Sequence, residues 1–301
     1  KKVLKTTDAE VFVFPSTGTG GWETALTNTL SPGDTVLVGR NGMFSHRWID
    51  MCERHRLDVT VVETPWGHGI PADRYEDMLR ADTKHAIKAV LATHNETATG
   101  VKSDIAAIRA AINAAGHPAL LFVDGVSSIG SMDFQFDDWG VDVAVTGSQK
   151  GFMLPAGLAI VGFSEKAMAA TQTATLSRTF FDVHDMAKGY DNNAYPYTPA
   201  VGLMNGLNDA CAMLLSEGLD NVFARHARHG AATRAAVRAW GLEVLCARQG
   251  QESGVLTAVL MPQDHSADNF RAQTLKYFDI SLGNGLSKVA DKVFRIGHLG
   301  D

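Results

Sequence analysis

The chain has 301 residues, 45% hydrophobic and 20% charged, with a formal net charge of −6. This suits one large α/β unit with a smaller appendage and argues against a nucleic-acid surface, which carries a basic excess or stripe. The three cysteines lie far apart without a CxxC pair, which excludes a disulfide framework and suits a reducing compartment.

The opening "KKVLKTTDAE" lacks the apolar stretch of a signal peptide. "AEVFVFPS" (9–16) reads as a strand and "GGWETALTNTL" (20–30) as a helix. "SPGD" makes a turn, "TVLVG" (35–39) a strand, and "FSHRWIDMCERHRL" (44–57) spaces its apolar residues as a helix does. "DVTVVET" (58–64) is a strand, and "PADRYEDMLRA" (71–81) a helix with Pro71 at its opening. "KAVLATHN" (88–95) follows as a strand, then "SDIAAIRAAINAAG" (103–116), a helix capped by its Ser and closed by its Gly. "ALLFVDG" (119–125), "VDVAVTG" (141–147) and "GLAIVGF" (157–163) complete the series. Alternation of this kind implies right-handed crossovers and a mainly parallel sheet covered on both faces. The nearly all-apolar strands agree with double-sided burial. Beyond about residue 200 the rhythm changes to two long helical patterns, three strand-like runs and a helix near 266–277, as in a smaller α/β domain. The expected division is 1–216 and 217–301. Two membrane-related exclusions follow: no apolar run approaches the roughly 18–20 residues of a membrane helix, and a cytoplasmic location is expected. The basic run 224–240 repeats at helical spacing and reads as a solvated helix face.

In open α/β sheets ligands bind beyond the carboxyl ends of the strands, which makes the residues there the candidates. "PSTGTGG" (15–21) after the first strand makes a phosphate cradle, with small residues for close approach and a helix N-terminus for the charge. It matches neither GxxxxGK[ST] nor GxGxxG. Phe44 follows the second strand, as a stacking aromatic or a core residue. "THNETATG" (93–100) follows the fourth and Asp124 ends the fifth, where a buried carboxylate needs a partner. Lys150 follows the sixth, framed by Gly147 and Gly151 and far from other charges. Pyridoxal phosphate demands this set: donors for its phosphate, flat faces for its ring, a carboxylate for its pyridine nitrogen and a lysine for its aldehyde.

"STGTGGWETAL", "LVGRNGMFSHRW", "THNETATGV", "VDGVSSIGS", "VTGSQKG", "YPYTPAV" and "RIGHLG" together resemble the class V, fold-type I aminotransferases, in particular those that use serine or alanine with glyoxylate. The resemblance runs collinearly through essentially the whole chain. It implies a large domain built on a mainly parallel seven-stranded sheet plus a smaller C-terminal α/β domain. It implies pyridoxal 5′-phosphate held by Lys150, with Asp124 on the pyridine nitrogen, Val126 on one ring face and Phe44 on the other. Thr17, Gly18, Thr19 and Gln149 would bind the phosphate, and Thr97 would lie near the ring hydroxyl. Tyr195 and Thr198 would reach the phosphate of a neighbouring subunit, implying a homodimer, and Arg295 would clamp the substrate α-carboxylate. The family's N-terminal Gly-Pro segment and closing C-terminal helix have no counterpart here, so both ends are expected to be truncated.

The expected reaction moves the amino group of L-serine to glyoxylate in ping-pong fashion. The rivals are an alanine–glyoxylate or other small-amino-acid aminotransferase, a cysteine desulfurase, a non-catalytic phosphate-binding module and a dinucleotide oxidoreductase. The desulfurase needs a nucleophilic cysteine on an exposed loop, whereas Cys52, Cys211 and Cys246 lie in helix- or strand-like runs and read as core. His226 and His229 have metal-like spacing, but the surrounding arginines repel a cation; no metal is expected.

Overall fold

A computed structural model describes residues 1–301. The seven strands read from the alternating region are present: β1 (Glu10–Ser16), β2 (Thr35–Arg40), β3 (Asp58–Glu63), β4 (Ile87–Thr93), β7 (Leu120–Asp124), β8 (Val143–Gly147) and β9 (Gly157–Phe163). They form one sheet in the order β1-β9-β8-β7-β4-β2-β3. Helices α1 (Gly18–Thr29), α2 (Met43–Arg54), α3 (Ala72–Ala81) and α4 (Ile105–Ala114) make the crossovers. Two core clusters lie on the two sheet faces. Trp48, Phe122 and Phe163 are fully buried there, each contributing about 2–3 kcal/mol by removal from water. No helix is long and apolar enough to cross a membrane.

Four strand pairs are parallel, but β9 runs antiparallel to both β8 and β1. The sheet is thus mainly, not wholly, parallel, and no crossover precedes β9. The connection from Gly147 to Gly157 is too short for one and folds as a hairpin. Ser148 pins that hairpin: its hydroxyl donates to Pro155 O (2.7 Å) and accepts from Leu158 N (3.1 Å).

Some element boundaries differ from expectation. Helix α1 starts at Gly18, so the cradle glycines form its first turn. Asp104, not Ser103, caps α4, accepting from Ala107 N (2.9 Å), while Ser103 Oγ accepts from Ile70 N (3.2 Å). A carboxylate one residue nearer the helix outcompetes the hydroxyl. Two short helices, α5 (Glu165–Ala170) and α6 (Val183–Asp191), fill a stretch the sequence pattern left blank. "THNETATG" and the two residues after it fold into a two-residue-per-strand hairpin, β5 (Asn95–Glu96) with β6 (Val101–Lys102).

Helices α7 (Val201–Glu217) and α8 (Leu219–Ala239) lead to a second sheet of β10 (Glu243–Val244), β11 (Leu256–Leu260), β12 (Gly283–Asn284) and β13 (Val293–Gly297), with α9 (Ala267–Phe278) packed on it. Strand β10 stops at Val244, so Cys246 lies in a half-buried loop rather than in a core strand. Its thiol donates to Arg248 O (3.4 Å), and burial raises its pKa.

Candidate active site

The carboxyl ends of β1, β4, β7 and β8 converge. At the first, Thr17 precedes α1 without capping it through its side chain. The first N–H groups of α1 are thus offered outward with the positive end of the helix dipole. The cradle is tight: a Cβ at Gly18 would lie 2.5 Å from Val126 Cγ2, and one at Gly20 2.1 Å from Ser16 Oγ. Only glycine lets the turn sit against the loop that follows Asp124.

Lys150 lies half-buried on the β8–β9 hairpin. The two glycines framing it serve close approach. A Cβ at Gly151 would lie 2.2 Å from Ile129 O, and one at Gly147 would lie 2.8 Å from Gln149 Oε1 and 3.4 Å from Gly18 N. Gln149 is thereby brought beside the α1 turn, and its Oε1 is buried without a hydrogen-bond partner. Lys150 has its pKa lowered, first by burial and then by the positive charge of Arg295, with Asp124 opposing. An amine so placed is free more often than a solvated one.

Asp124 is buried at the end of β7 and accepts from Val126 N (2.9 Å). Burial pushes its pKa up to about 7, and the nearby Glu96 adds to the rise. Such a carboxyl, without a cationic hydrogen-bond partner, is poised to take one. Val126 and Phe44 are both half-buried and pack against the same core cluster.

The Thr97 hydroxyl donates to Ser127 Oγ (2.9 Å), which also receives Asn95 Nδ2 (2.9 Å) and donates to Asn95 O (2.9 Å). Thr97 therefore presents lone pairs, not a proton. From the second sheet, Arg295 reaches across: Nε donates to Asn284 O (2.7 Å) and Nη1 to Thr97 O (3.1 Å). Nη2 and the second Nη1 proton remain for an incoming carboxylate.

Two expected residues stand apart. The Tyr195 hydroxyl donates to Val13 O on β1, and Thr198 is exposed. Within one chain neither joins the constellation. One residue was missed. Glu96 is fully buried and accepts from Phe44 N (3.1 Å), Ser45 N (3.0 Å) and Ala98 N (3.0 Å), with the Ser45 hydroxyl 3.1 Å away. The signal available was Gly42 at the cap position of a helix whose Phe44 and Ser45 amides have no acceptor from the cap residue. His94 is also buried: Nδ1 pairs with Ser128 Oγ (2.9 Å), the ring packs edge-on against Trp139, and burial lowers its pKa to about 4. No three His, Cys, Asp or Glu side chains converge to hold a metal ion.

Together these residues can hold an anion at α1, an aromatic cation against Asp124 and a carbonyl at Lys150. The uncapped first N–H groups of α1, the side-chain-free cradle and the buried, cation-lacking carboxyl fit pyridoxal phosphate in donor set and charge.

Comparison with known proteins agrees. The family model described as "Aminotransferase class-V" matches residues 1–287. The L-aspartate–glyoxylate aminotransferase of Paracoccus denitrificans is 68% identical over 300 residues, covering 100% of this chain and 76% of that one. The serine–glyoxylate aminotransferase of Hyphomicrobium methylovorum is 52% identical, covering 100% of this chain and 75% of that one. Among solved structures, the pyridoxamine–pyruvate aminotransferase of Mesorhizobium loti superposes with a TM-score of 0.93 at 31% identity, covering 99% of this chain and 76% of that one. The alanine–glyoxylate aminotransferase of Nostoc sp. gives 0.92 at 27% identity, covering 99% and 78%.

Proposed function

From its membership of the class V aminotransferases, the pyridoxal-phosphate-dependent family of glyoxylate-type enzymes to which this chain belongs, we propose that it moves the amino group of L-aspartate to glyoxylate, giving oxaloacetate and glycine. The donor rests on the 68% identity to the Paracoccus enzyme across the full chain. L-serine, the donor expected from the sequence, is the second reading, supported by relatives of that specificity at 50–52% identity. The observation that carries the catalytic assignment is the convergence of a half-buried Lys150 with depressed pKa on a buried Asp124.

When bound, pyridoxal phosphate supplies an aldehyde to take up the amino group and a ring to accept the electron pair of the Cα–H bond. Lys150 would hold that aldehyde through its Nζ. Its Nζ, with a pKa lowered by burial and by Arg295, would be the group that takes up and returns the substrate Cα proton. Asp124 would pair with the protonated ring nitrogen, a cationic partner that favours its own ionised form. The first N–H groups of α1, with Thr17, Gly18, Thr19 and Gln149, hold the phosphate. Val126 and Phe44 would bound the ring, and Thr97 would accept from its hydroxyl. Arg295 orients the α-carboxylate of each substrate through Nη1 and Nη2. Because the keto acid leaves before glyoxylate enters, ping-pong kinetics are expected. We further propose a cytoplasmic homodimer, with the exposed Thr198 and its segment turned to the second copy; sedimentation tests the stoichiometry.

The deciding experiment is the visible spectrum of the protein with pyridoxal phosphate, before and after L-aspartate or L-serine alone. A lysine-bound cofactor band, absent in Lys150→Ala and discharged faster by aspartate, is expected. Faster discharge by serine selects the second reading, and no band in wild type refutes the catalytic assignment.

A further inference from the structure

We propose that Glu96 is a positioning residue of this active site, a buried carboxylate that holds the N-terminal turn of α2, and Phe44 with it, in register with Thr97 and Arg295. The inference rests on the assignment of Phe44, Thr97 and Arg295 given above.

Helix N-termini are usually capped locally, by a Ser, Thr, Asp or Asn at the cap position itself. Helix α2 has Gly42 there instead; its own Ser45 Oγ accepts only from the Asn41 and Gly42 amides, while the carboxylate that accepts from the Phe44 and Ser45 amides comes from a loop, 52 residues away from Phe44 in sequence. The two features are complementary. A Cβ at Gly42 would lie 2.2 Å from Glu96 Cγ and 2.3 Å from Cδ, so the carboxylate occupies the space a local cap would use. This arrangement is expensive as a mere cap. Glu96 is fully buried, no cation bonds it, and burial raises its pKa despite its amide donors. A serine at position 42 would cap the helix without burying a charge.

What the long-range arrangement adds is registration. The amide of Phe44 is itself a donor to Glu96, so the aromatic ring is hung from the carboxylate through its own backbone. The next residue along the loop, Thr97, carries the candidate ring-hydroxyl contact, and its carbonyl receives Arg295 Nη1. Ala98 N closes the loop back onto Glu96 Oε1 (3.0 Å). One carboxylate therefore ties a helix of the first sheet, the β5–β6 hairpin and, through one peptide, the arginine of the second sheet. Small displacements of groups that face the reacting atoms cost rate and affinity steeply.

The test compares the wild-type holoenzyme with Glu96→Gln, Gly42→Ala and Asp104→Ala. Glutamine keeps the shape but replaces one acceptor oxygen with a donor facing the α2 amides. Alanine at position 42 pushes on Glu96 while leaving its charge. Asp104 caps α4 and touches none of the proposed contacts, so its variant reports loss of a cap alone. The readouts are the pyridoxal phosphate dissociation constant, circular dichroism of the bound cofactor, kcat and KM resolved separately, and the near-ultraviolet signal of the apo protein. That last signal reports the stacked Trp22–Trp48 pair, with ring centroids 5.6 Å apart across α1 and α2. For Glu96→Gln and Gly42→Ala, weaker cofactor binding and a higher donor KM are expected, each about 10-fold, with a smaller change in kcat. An altered apo tryptophan signal accompanies them, whereas Asp104→Ala lowers only the melting temperature. If Glu96→Gln does not fold, Gly42→Ala decides by the same readouts. Glu96 variants that lower only the melting temperature, as Asp104→Ala does, overturn the proposal. A wild type without the lysine-bound band instead overturns the assignment of the site itself, so the two failures are told apart.

Discussion

The buried carboxyl of Asp124 makes the cofactor-free protein depend on pH in a direction that can be worked out. Its pKa is about 7 in the fold against 3.8 ordinarily. Between those values the folded chain holds a proton that the unfolded chain has lost. Its stabilising contribution is full below the lower value and is lost as pH rises through the upper one. Asp124→Asn removes that slope. The variant is expected to gain on wild type in melting temperature between about pH 5 and pH 7, by about 4 °C, since each pKa unit is worth about 1.4 kcal/mol. Parallel melting curves would mean that the carboxyl is already ionised in the apo fold. Asp124 and Lys150 were legible in the sequence because a charge amid apolar strand residues is costly without a use. Glu96 was not, because in "THNETATG" it has polar neighbours on both sides and nothing local marks it as buried. His94 received no expected role from the same loop, and its burial against Trp139 depends on a residue far along the chain.

Among the elements, strands and helices of the first sheet were legible because strict apolar runs alternate with helical spacing. The orientation of β9 was not, because periodicity carries no direction; the short loop before it did carry that information. The cap of α4 is a finer case, with Ser103 and Asp104 adjacent and both competent. Asp104→Ala is expected to cost about 1 kcal/mol in denaturant unfolding, with Ser103→Ala acting instead through its bond to Ile70. Equal losses would leave the capping role divided. The outer edge of β1 shows another device. Val13 N donates to the Tyr190 hydroxyl (3.1 Å) while Val13 O accepts from Tyr195, so an otherwise open strand edge is closed by two phenols. Neither tyrosine announces this in sequence.

In the whole molecule, the site is assembled from elements of both larger sheets, with Arg295 of β13 held by Thr97 O of the β5–β6 hairpin and Asn284 O of β12. Arg295→Lys keeps the charge but loses the planar fork. It is expected to raise the donor KM about 100-fold while leaving the lysine-bound cofactor band in place. Loss of the band instead would place Arg295 in cofactor binding. The smaller sheet was the less legible half, since its strands are short and β10 and β12 have only two residues each. The pairing of β1 with β9 has a consequence for synthesis. Of the seven strands, Glu10–Ser16 emerges before the rest and finds its one partner in this sheet in Gly157–Phe163, the last of the seven. A nascent chain that has made its anion cradle must hold it unpaired until the hairpin bearing Lys150 has also been made. Cradle and lysine thus become competent in the same folding event, and a chain stalled before β9 offers the cofactor neither.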